Sequence, residues 1–508
     1  MAGAAKGAAA VIAPARDGPL AVIDIGSNSV RLVVYRGPER GAVTLFNEKV
    51  LCGLGRGLTR GGRLNPEGVA LARKNLVRFT RLARAMGARR IDMLATAAVR
   101  EAADGPAFAA EVERLCGLPV TVLSGAEEGR LSALGVVAGF PGAHGVMGDL
   151  GGGSLELVEL RHGRIGRSAT LSLGPFQLMD LSGRGPDAME REIDRRLTGA
   201  DWLSEAAREP EAGALYAVGG AWRNLARIRI EQTDHPLHVV HGYTMRRGEV
   251  NDLARVIGRL SRRSLACIRG VTKQRLETLP AAALVLSRVV RALGCGQVVF
   301  SAFGLREGHA FDQLSPAEQA KDPLLAVCAD LARREARFEH LGEPLAAWSA
   351  ALFPDETPPA RRLRQASCLL SDIAWREHPD YRAVQALFRI LHFPFIGLGH
   401  AERVFLAYAA FVRYGGAAGA ADAARYVRLL SPEVERRARV LGLAQRLAYR
   451  VSGATGAVLA RCALDYDAAG ALRLVLPGDG SAPGGEAVDR DLRALAEALG
   501  ARCRVIEG

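Results

Sequence analysis

The sequence predicts an α/β protein of two similar lobes, followed by a helical domain and a small C-terminal α+β segment. Strand-like and helix-like stretches alternate from residue 20 to residue 124, and a strand–turn–strand motif recurs 125 residues further on. From about Pro316, helical periodicity rich in Ala, Leu and Arg replaces the strand-like alternation. Such alternation is typical of layered α/β folds, and one long-period repeat indicates duplicated lobes rather than a solenoid.

Individual elements of the first lobe follow from local patterns. Buried strands are predicted at 20–24 and 30–35, and an amphipathic helix at 66–87, where Asn65-Pro66 begins it and Gly87 ends it. A strand at 91–95, a helix at 106–115 and a strand at 120–124 complete the alternation. A later strand is expected to end in the glycine turn of 216–220, and further strands are expected at 297–301 and 472–476. We therefore divide the chain into a flexible leader (1–19), lobe I (20–137), lobe II (138–315), a helical domain (316–469) and an α+β segment (470–508).

The charge of the chain favours a polyanionic partner. Its 508 residues carry a net charge of +13. The excess is uneven: residues 221–300 hold 14 basic and 5 acidic side chains (+9), residues 361–450 hold 15 and 7 (+8), and the rest of the chain is slightly acidic. Such stretches attract polyphosphate, nucleic acid or an anionic surface. The alternative is a compositional bias in which arginine simply covers solvated helices.

The sequence disfavours a membrane-spanning protein and a disulfide-bonded one. The sequence contains no uninterrupted apolar run of about 18 residues, so we expect no transmembrane helix. The eight cysteines are scattered without a CxxC pair, which disfavours a zinc site or disulfide framework and fits the reduced cytoplasm.

The repeated motif carries the chemistry. Asp24 to Val33 aligns with Asp149 to Val158, and Asp, the first Gly, Ser, Leu and Val coincide at the constant offset. In such a hairpin, glycines let backbone N–H groups approach an anion, while the Asp at the strand end can hold Mg²⁺. The P-loop sequence is absent, so the pair predicts a different phosphate grip, formed by two lobes.

Six motifs stand in a fixed order along the chain: AVIDIGSNSVRLVVY (21–35), LATAAVREA (94–102), SGAEEGRL (124–131), GDLGGGSLELVEL (148–160), AVGGAWRNLA (217–226) and SAFGLREG (301–308). In order and spacing they resemble one family, the exopolyphosphatase and guanosine pentaphosphate phosphohydrolase (Ppx/GppA) family. The resemblance is strong over residues 20–310 and weaker beyond. It implies two actin-like lobes of the sugar-kinase and heat-shock-ATPase superfamily, followed by an HD-like helical domain.

The resemblance also implies roles for individual residues. Glu128 matches the catalytic glutamate that orients or deprotonates water, whereas the neighbouring Glu127 has no such match. Asp149 and Glu156 match acidic positions that help hold Mg²⁺ or Mn²⁺, and Asp24 is the counterpart of Asp149. The implied substrate-binding residues are Ser27, Asn28, Arg100, Gly151, Gly152, Gly153, Ser154 and Arg275.

Departures from the family pattern modify these expectations. Gly174-Pro175 stands where some members have Gly-Cys, and we interpret it as structural. Ser371-Asp372 replaces the metal-binding pair of HD hydrolases and Gly415 replaces a later histidine, so a second hydrolytic site is not expected. His340, His378, His392 and His400 are then surface or core residues, and His235, His238 and His241 favour a packed strand over a metal site.

Together these features predict a cytoplasmic exopolyphosphatase that releases orthophosphate from inorganic polyphosphate, with Mg²⁺ or Mn²⁺. The alternative within the family is guanosine pentaphosphate hydrolysis, and guanosine penta- or tetraphosphate is a further expected ligand. An actin-fold kinase and a non-enzymatic polyphosphate- or alarmone-binding regulator are the alternatives outside that activity. No membrane or nucleic-acid partner is expected, and the family resemblance implies a homodimer through residues 316–508.

Overall fold

A computed structural model describes residues 18–41, 43–179, 186–206, 213–260, 262–266, 276–337, 341–482 and 484–507. Most of the predicted leader, together with Arg275 and His340, lies outside these residues. The chain divides into two compact units: one takes the residues up to Arg229 and Thr244–Lys321, the other Ile230–Tyr243 and the residues from Asp322 onward. Within the described ranges, no helix is both long enough and apolar enough to cross a membrane.

The first unit opens with a mixed sheet of strand order β3-β2-β1-β4-β5, which we call the first sheet. β1 pairs antiparallel with β2 and parallel with β4, and helices pack on it. Ile23, Ile25, Leu32 and Phe79 are fully buried in its core. The elements are β1 (Leu20–Ile25), β2 (Ser29–Tyr35), β3 (Thr44–Leu51), α1 (Leu58–Gly61), α2 (Pro66–Ala85), β4 (Arg90–Ala95), α3 (Ala97–Glu101), α4 (Gly105–Cys116), β5 (Val120–Val122) and α5 (Gly125–Gly139).

The second sheet repeats this arrangement, with order β10-β11-β9-β6-β7-β8 and an added edge strand. β6 pairs antiparallel with β7 and parallel with β9, as β1 does with β2 and β4. The elements are β6 (Gly145–Leu150), β7 (Leu155–Arg161), β8 (Arg164–Leu171), α6 (Pro175–Met179), α7 (Pro186–Leu197), α8 (Leu203–Ala206), β9 (Ala214–Val218), α9 (Gly220–Gln232), β10 (Thr244–Arg246), α10 (Arg247–Arg259), α11 (Arg262–Ala266), α12 (Leu279–Leu293), β11 (Gln297–Phe300), α13 (Leu305–Asp312) and α14 (Pro316–Ala320).

The helix that follows each sheet packs on the other sheet. α5 follows β5 but lies against β7 and β8, whereas α13 follows β11 but lies against β1. The two helices also contact each other closely, because Gly135 and Gly308 leave no side chain between the two backbones. This exchange brings the carboxyl ends of β1 and β6 to one cleft.

The second unit is helical and ends in a three-stranded sheet of order β12-β13-β14. With the first unit it confirms the predicted fold class of two α/β lobes, a helical region and a small α+β segment. The exact domain boundaries stay predictions. The elements are α15 (Pro323–Glu335), α16 (Gly342–Trp348), α17 (Pro358–Leu369), α18 (Arg382–His392), α19 (His400–Arg413), α20 (Ala421–Val427), α21 (Pro432–Ser452), α22 (Gly456–Leu459), β12 (Ala463–Tyr466), β13 (Leu472–Leu476), α23 (Glu486–Leu499) and β14 (Cys503–Glu507).

The histidine-rich segment of the second unit differs from its prediction. Residues 235–243 form no regular strand, so the expected packed strand is wrong. His235 Nε2 instead lies 2.8 Å from His400 Nδ1, and Tyr243 packs its ring edge against His235. Pro236 lies within this segment and lacks the N–H that a strand ladder needs.

Asp372 occupies a closed ionic environment in the same unit. Its carboxylate is buried and accepts hydrogen bonds from Arg337 Nε at 3.0 Å and Nη2 at 2.8 Å. The neighbouring Ser371 hydroxyl lies 3.1 Å from the Tyr449 hydroxyl. The Arg337 guanidinium group therefore neutralises Asp372, which belongs to the Ser371-Asp372 pair that replaces the metal-binding pair of HD hydrolases.

Candidate active site

Two glycine-rich hairpins face each other across the cleft of the first unit. Each is closed by the same bond: the Gly26 N–H donates to Ser29 O at 3.0 Å, and the Gly151 N–H donates to Ser154 O at 3.0 Å. A Cβ built on Gly152 would lie 3.1 Å from Ser27 Cβ, so the two tips approach to within contact distance. The two copies of the duplicated motif thus form similar turns that also face each other.

The tip of the second hairpin is held from behind by the loop that begins α6. Gly174 N–H donates to Gly153 O and Phe176 N–H donates to Gly152 O, both at 3.1 Å. A Cβ on Gly152 would lie 3.0 Å from the Phe176 ring, which is tighter than side chains normally pack. A side chain at position 152 would therefore need the Phe176 ring or Ser27 to shift by a few tenths of an ångström, and Gly174-Pro175 supports the hairpin.

Most of the predicted site residues line one cleft of about 170 Å³ between the hairpins. Arg100 and Glu156 do not line it directly, but each interacts with a residue that does. Gly153 lines the adjoining hollow beside Ser27. Arg275 lies outside the described residues. The predicted residues that line the cleft are Asp24, Ser27, Asn28, Glu128, Asp149, Gly151, Gly152 and Ser154.

Glu128 lies in the first turn of α5, where the Ser124 hydroxyl caps the helix by accepting from the Glu127 N–H at 3.2 Å. The Glu128 side chain is only 8% exposed as a residue, and its Oε2 accepts from Arg100 Nη1 at 2.9 Å. Burial raises the pKa of Glu128 to about 7, although Arg100 opposes this, and the carboxylates of Asp149 and Asp24 raise it further. A group with this pKa can accept a proton near neutral pH.

The two equivalent aspartates have different partners. Asp24 Oδ2 accepts from Arg306 Nη1 at 2.6 Å, and Asp149 Oδ2 accepts from the Ser132 hydroxyl at 2.5 Å. Burial raises the pKa of Asp149, and the Ser132 hydrogen bond opposes the rise only in part. Asp24 is thus paired with a cation, whereas Asp149 has a neutral donor and nearby carboxylates.

Glu156 is sealed beneath α5. It is 1% exposed, and neither carboxylate oxygen makes a well-formed hydrogen bond with the described residues. Burial raises the pKa of Glu156 well above its ordinary value, and Glu128 and Asp149 raise it further. Gly125 and Gly129 allow this close cover, because a Cβ at either position would press on Thr170 or on Val158 and Glu156.

The donor set fits a divalent cation that keeps much of its coordination for water and phosphate. Among the described residues, no three His, Cys, Asp or Glu side chains form a ready-made metal cage. Mg²⁺ is commonly held by only one or two carboxylates plus waters and substrate phosphates. Glu128 and Asp149 raise the pKa of Glu156, and Asp149 also raises that of Glu128. The Glu156 oxygens make no well-formed hydrogen bond with the described residues, so a cation would relieve both the repulsion and the unmet hydrogen bonding.

Beside each aspartate, the sheet register places a row of side chains on one face. In the first sheet, Asp24 lies opposite Arg31 on β2, and Arg31 lies opposite Lys49 on β3. In the second sheet, Asp149 lies opposite Glu156, and Glu156 lies opposite Thr170. We call these the first row (Asp24, Arg31, Lys49) and the second row (Asp149, Glu156, Thr170). All three residues of the first row line the cleft, whereas Asp149 is the one residue of the second row that does so.

The sequence interpretation assigned no role to four cationic residues that line the cleft, namely Arg31, Lys49, Arg223 and Arg306. Arg306 could have been found from a second repeat, because Gly-x-x-Glu-Gly occurs at both 125–129 and 304–308. Arg223 could have been found from a third, because Arg100 and Arg223 each follow the end of an equivalent strand, β4 or β9. The duplication therefore extends from the hairpins to the residues around them.

The cleft contains two facing glycine-rich hairpins, four cationic side chains and a buried glutamate. Such a site is typical of enzymes that hydrolyse phosphate esters or phosphoanhydrides. Comparison with known families agrees with this class. The chain belongs to the Ppx/GppA phosphatase family, whose model matches residues 33–317, and the model named "Exopolyphosphatase, C-terminal" matches residues 324–506. This confirms the family predicted from the six motifs.

Similar proteins match somewhat more than half of this chain and most of their own length. Exopolyphosphatase 2 of Mycobacterium tuberculosis is 28% identical over 315 residues, which cover 59% of this chain and 94% of the relative. Exopolyphosphatase 1 of Mycobacterium leprae is 28% identical over 302 residues, covering 57% and 87%. A crystal structure of an exopolyphosphatase from Cytophaga hutchinsonii, 22% identical, matches 58% of this chain and 99% of its own with a TM-score of 0.52, which supports the fold.

Proposed function

We propose that the protein is an exopolyphosphatase that hydrolyses the terminal phosphoanhydride of inorganic polyphosphate and releases orthophosphate. The observation that carries the proposal is the buried Glu128, paired with Arg100 and adjacent to both aspartates at the junction of two facing hairpins. The names of the similar mycobacterial proteins support the same substrate.

The proposal gives each residue of the cleft a role. The backbone of Gly151 and Gly152, with Ser27, Asn28 and Ser154, would bind the terminal phosphoryl group, and Gly153 would keep the hairpin tip small. Arg100 orients Glu128, and the resemblance adds a phosphate contact for Arg100. Glu128 accepts a proton from water as the water oxygen bonds to phosphorus and the bridging P–O bond breaks.

A divalent ion, Mg²⁺ or Mn²⁺, is part of the proposal. Asp24, Asp149 and Glu156 would hold it, and when bound it would supply charge neutralisation for the phosphate oxygens. Removing the ion should abolish turnover while leaving the hairpins folded. Arg275 remains a proposed contact for the polymer tail.

Guanosine pentaphosphate hydrolysis is the second candidate, because the same cleft chemistry cleaves either anhydride. Phosphate release from long polyphosphate and from guanosine pentaphosphate should be measured side by side. Trp222, in the first turn of α9, is fully buried and donates its ring N–H to Ala282 O at 2.9 Å, so it is not available to stack on a base. This favours the polymer; turnover of the nucleotide alone would contradict the proposal.

The principal test compares two adjacent glutamates on α5. Glu128→Gln should lower kcat by about 10²–10⁴-fold, because the group that accepts the proton is lost. Polyphosphate binding by this variant should persist. Glu127→Gln is the matched control, since Glu127 lies on the same helical turn but pairs outward with Arg130.

Each result of this comparison has a distinct meaning. Equal activity of the two variants would remove Glu128 as the base. Transfer of phosphate from ATP to a small acceptor by the parent protein, without release of phosphate from polyphosphate, would instead indicate the kinase alternative. Binding without any turnover would indicate the regulator.

The proposal includes two further properties, a reducing compartment and a homodimer. The seven described cysteines are free thiols, which supports a reducing compartment such as the cytoplasm. A homodimer through residues 316–508 follows from the family resemblance. Light scattering of the full chain tests it, and a monomeric mass would refute it.

A further inference from the structure

Ser132 carries a buried hydroxyl in the middle of α5 to which the proposed hydrolytic step gives no role. The residue is fully buried, and its Oγ donates to Asp149 Oδ2 at 2.5 Å. Buried hydroxyls of other helices donate to their own backbone: Thr80 on α2 and Ser452 on α21 each bond the carbonyl four residues earlier. That local bond is common for a serine or threonine within a helix. Ser132 instead directs its proton to a side chain on β6.

The packing of α5 fixes where the Ser132 hydroxyl lies. Gly129 and Gly135 stand three residues before and after it, and α5 contacts both β6 and β7. A Cβ at Gly129 would lie 3.2 Å from a side chain of β7, and a Cβ at Gly135 would clash with the backbone just before α13. Glu128, the proposed base, lies one turn before Ser132. One closely packed helix therefore places both the base and the donor to Asp149.

Asp24 and Asp149 each have one carboxylate oxygen engaged by a donor. Arg306 donates to Asp24 Oδ2 at 2.6 Å, and Ser132 donates to Asp149 Oδ2. Among the described residues, neither Oδ1 atom accepts a hydrogen bond, and both aspartates line the cleft. The two donors differ in charge, because Arg306 is a cation and Ser132 is neutral. Ser132 thus holds the orientation of Asp149 without cancelling the negative charge that attracts an ion.

A carboxylate that offers one oxygen suits a small divalent ion better than a large one. Mg²⁺ requires a regular octahedral shell at about 2.0–2.1 Å, and proteins usually supply it with one or two carboxylates plus waters and substrate phosphates. Ca²⁺ takes roughly six to eight oxygens at about 2.3–2.6 Å and often binds a carboxylate through both oxygens. Release of Asp149 Oδ2 would supply such a second oxygen, which favours the larger ion.

We propose that Ser132 is a positioning residue: it keeps Asp149 Oδ2 engaged, so that Asp149 binds a divalent ion through Oδ1 alone and the cleft prefers Mg²⁺ to Ca²⁺. The inference rests on the proposed function, in which Asp149 holds the ion, and deepens it by naming the residue that selects among ions. Loss of the hydroxyl frees Oδ2 and lets the carboxylate turn, which weakens the fit to Mg²⁺ and adds an oxygen for Ca²⁺.

The test compares ion binding by the full chain and by its Ser132→Ala variant in the absence of substrate. Melting temperatures are measured over a series of MgCl₂ and of CaCl₂ concentrations, and their dependence on concentration gives a Kd for each ion. The parent should bind Mg²⁺ more tightly than Ca²⁺. In Ser132→Ala the Kd for Mg²⁺ should rise about 10–100-fold, as is typical when a group that orients a metal ligand is lost. The Kd for Ca²⁺ should change clearly less.

Two further variants show whether the hydroxyl itself is responsible. Ser452→Ala is the matched control, because it removes the same atom from another buried helical serine, whose hydroxyl bonds a backbone carbonyl. It should leave both ion constants unchanged. Ser132→Thr keeps a hydroxyl at the site and should retain the preference for Mg²⁺. Melting curves without ions check that each variant is folded, and the comparison of the two alanine variants decides the inference even if threonine is too large for the site.

The outcomes separate this inference from the proposed function. A purely structural role for Ser132 would weaken the binding of both ions by the same factor, so an unchanged ratio of the two constants in Ser132→Ala would overturn the inference. A parent that binds Ca²⁺ as tightly as Mg²⁺, or that binds neither ion, would overturn it too. Phosphate release from polyphosphate by the parent judges the function. If release occurs and the ratio is unchanged, the function stands and the role of Ser132 is wrong; if no phosphate is released but the ratio changes as expected, the function fails and the role of Ser132 stands.

Discussion

The two sheets of the first unit place equivalent aspartates at equivalent positions, yet their neighbours carry opposite charge. Asp24 is followed across its sheet by Arg31 and Lys49, whereas Asp149 is followed by Glu156 and Thr170. The covering helix reinforces the difference. α5 lies close on the second row because of Gly125 and Gly129, and it seals Glu156, whereas the first row stays open to the cleft. One duplicated frame thus places cationic side chains beside one aspartate and a buried carboxylate beside the other.

Replacing either aspartate tests the difference between the two sheets most strongly. Asp149→Asn should lower kcat by on the order of 100-fold or more, because the carboxylate proposed to hold the divalent ion is lost. It should also remove the increase in melting temperature that Mg²⁺ is expected to give the parent. Asp24→Asn should lose activity to a similar extent but be less stable, because Arg306 is left as a buried cation without its partner.

Melting curves with and without Mg²⁺ separate the two aspartates, and Asp465→Asn serves as a control from a remote strand. Asp465 pairs with Arg473 at the surface of the three-stranded sheet. A persistent Mg²⁺-dependent stabilisation in Asp149→Asn would mean that this carboxylate does not hold the ion. Equal stability of Asp24→Asn and Asp149→Asn would contradict the importance of the Arg306 pair.

The sequence was sufficient for features that depend on local pattern. The constant offset of 125 predicted the two hairpins, and their register in the structure is the same: Asp24 opposite Arg31 and Asp149 opposite Glu156. The family motifs predicted Glu128, which the fold brings to the same cleft as both aspartates. Their roles stay predictions until variants are measured.

Features that depend on tertiary packing were missed. β3 was not predicted, since it is an edge strand with mostly exposed or half-buried residues, and Lys49 was missed with it. Arg306 reaches Asp24 only because α13 packs on the opposite sheet from the one it follows. No local pattern reports such an exchange of helices, or that α5 seals Glu156.

The equivalent arginines, Arg100 and Arg223, provide a second test of the difference between the two sheets. Arg100 binds Glu128, whereas Arg223 Nη1 donates to the Ala302 carbonyl at 2.6 Å. Arg100→Gln should lower kcat/KM about 10–100-fold and move the acidic limb of its pH profile to higher pH, because the cation that lowers the pKa of Glu128 is removed. Arg100→Lys should restore part of the shift. An increase in KM with an unmoved limb would instead assign Arg100 to phosphate binding alone.

The smallest expected effect is on stability and concerns the carboxylates rather than the cations. The pKa of Glu128 is about 7 in the fold and near 4.5 in the unfolded chain, so its contribution to stability is complete below about pH 4.5 and declines as pH rises through 7. Without divalent ions, Glu128→Gln should therefore gain stability relative to the parent on going from pH 5 to pH 8, by at most about 3 kcal/mol. Glu156→Gln should change in the same direction, and Arg31→Gln should not. Adding Mg²⁺ should reduce the gain, because a bound cation stabilises the same ionised carboxylates; a gain that Mg²⁺ leaves unchanged would mean that the ion binds away from this cluster.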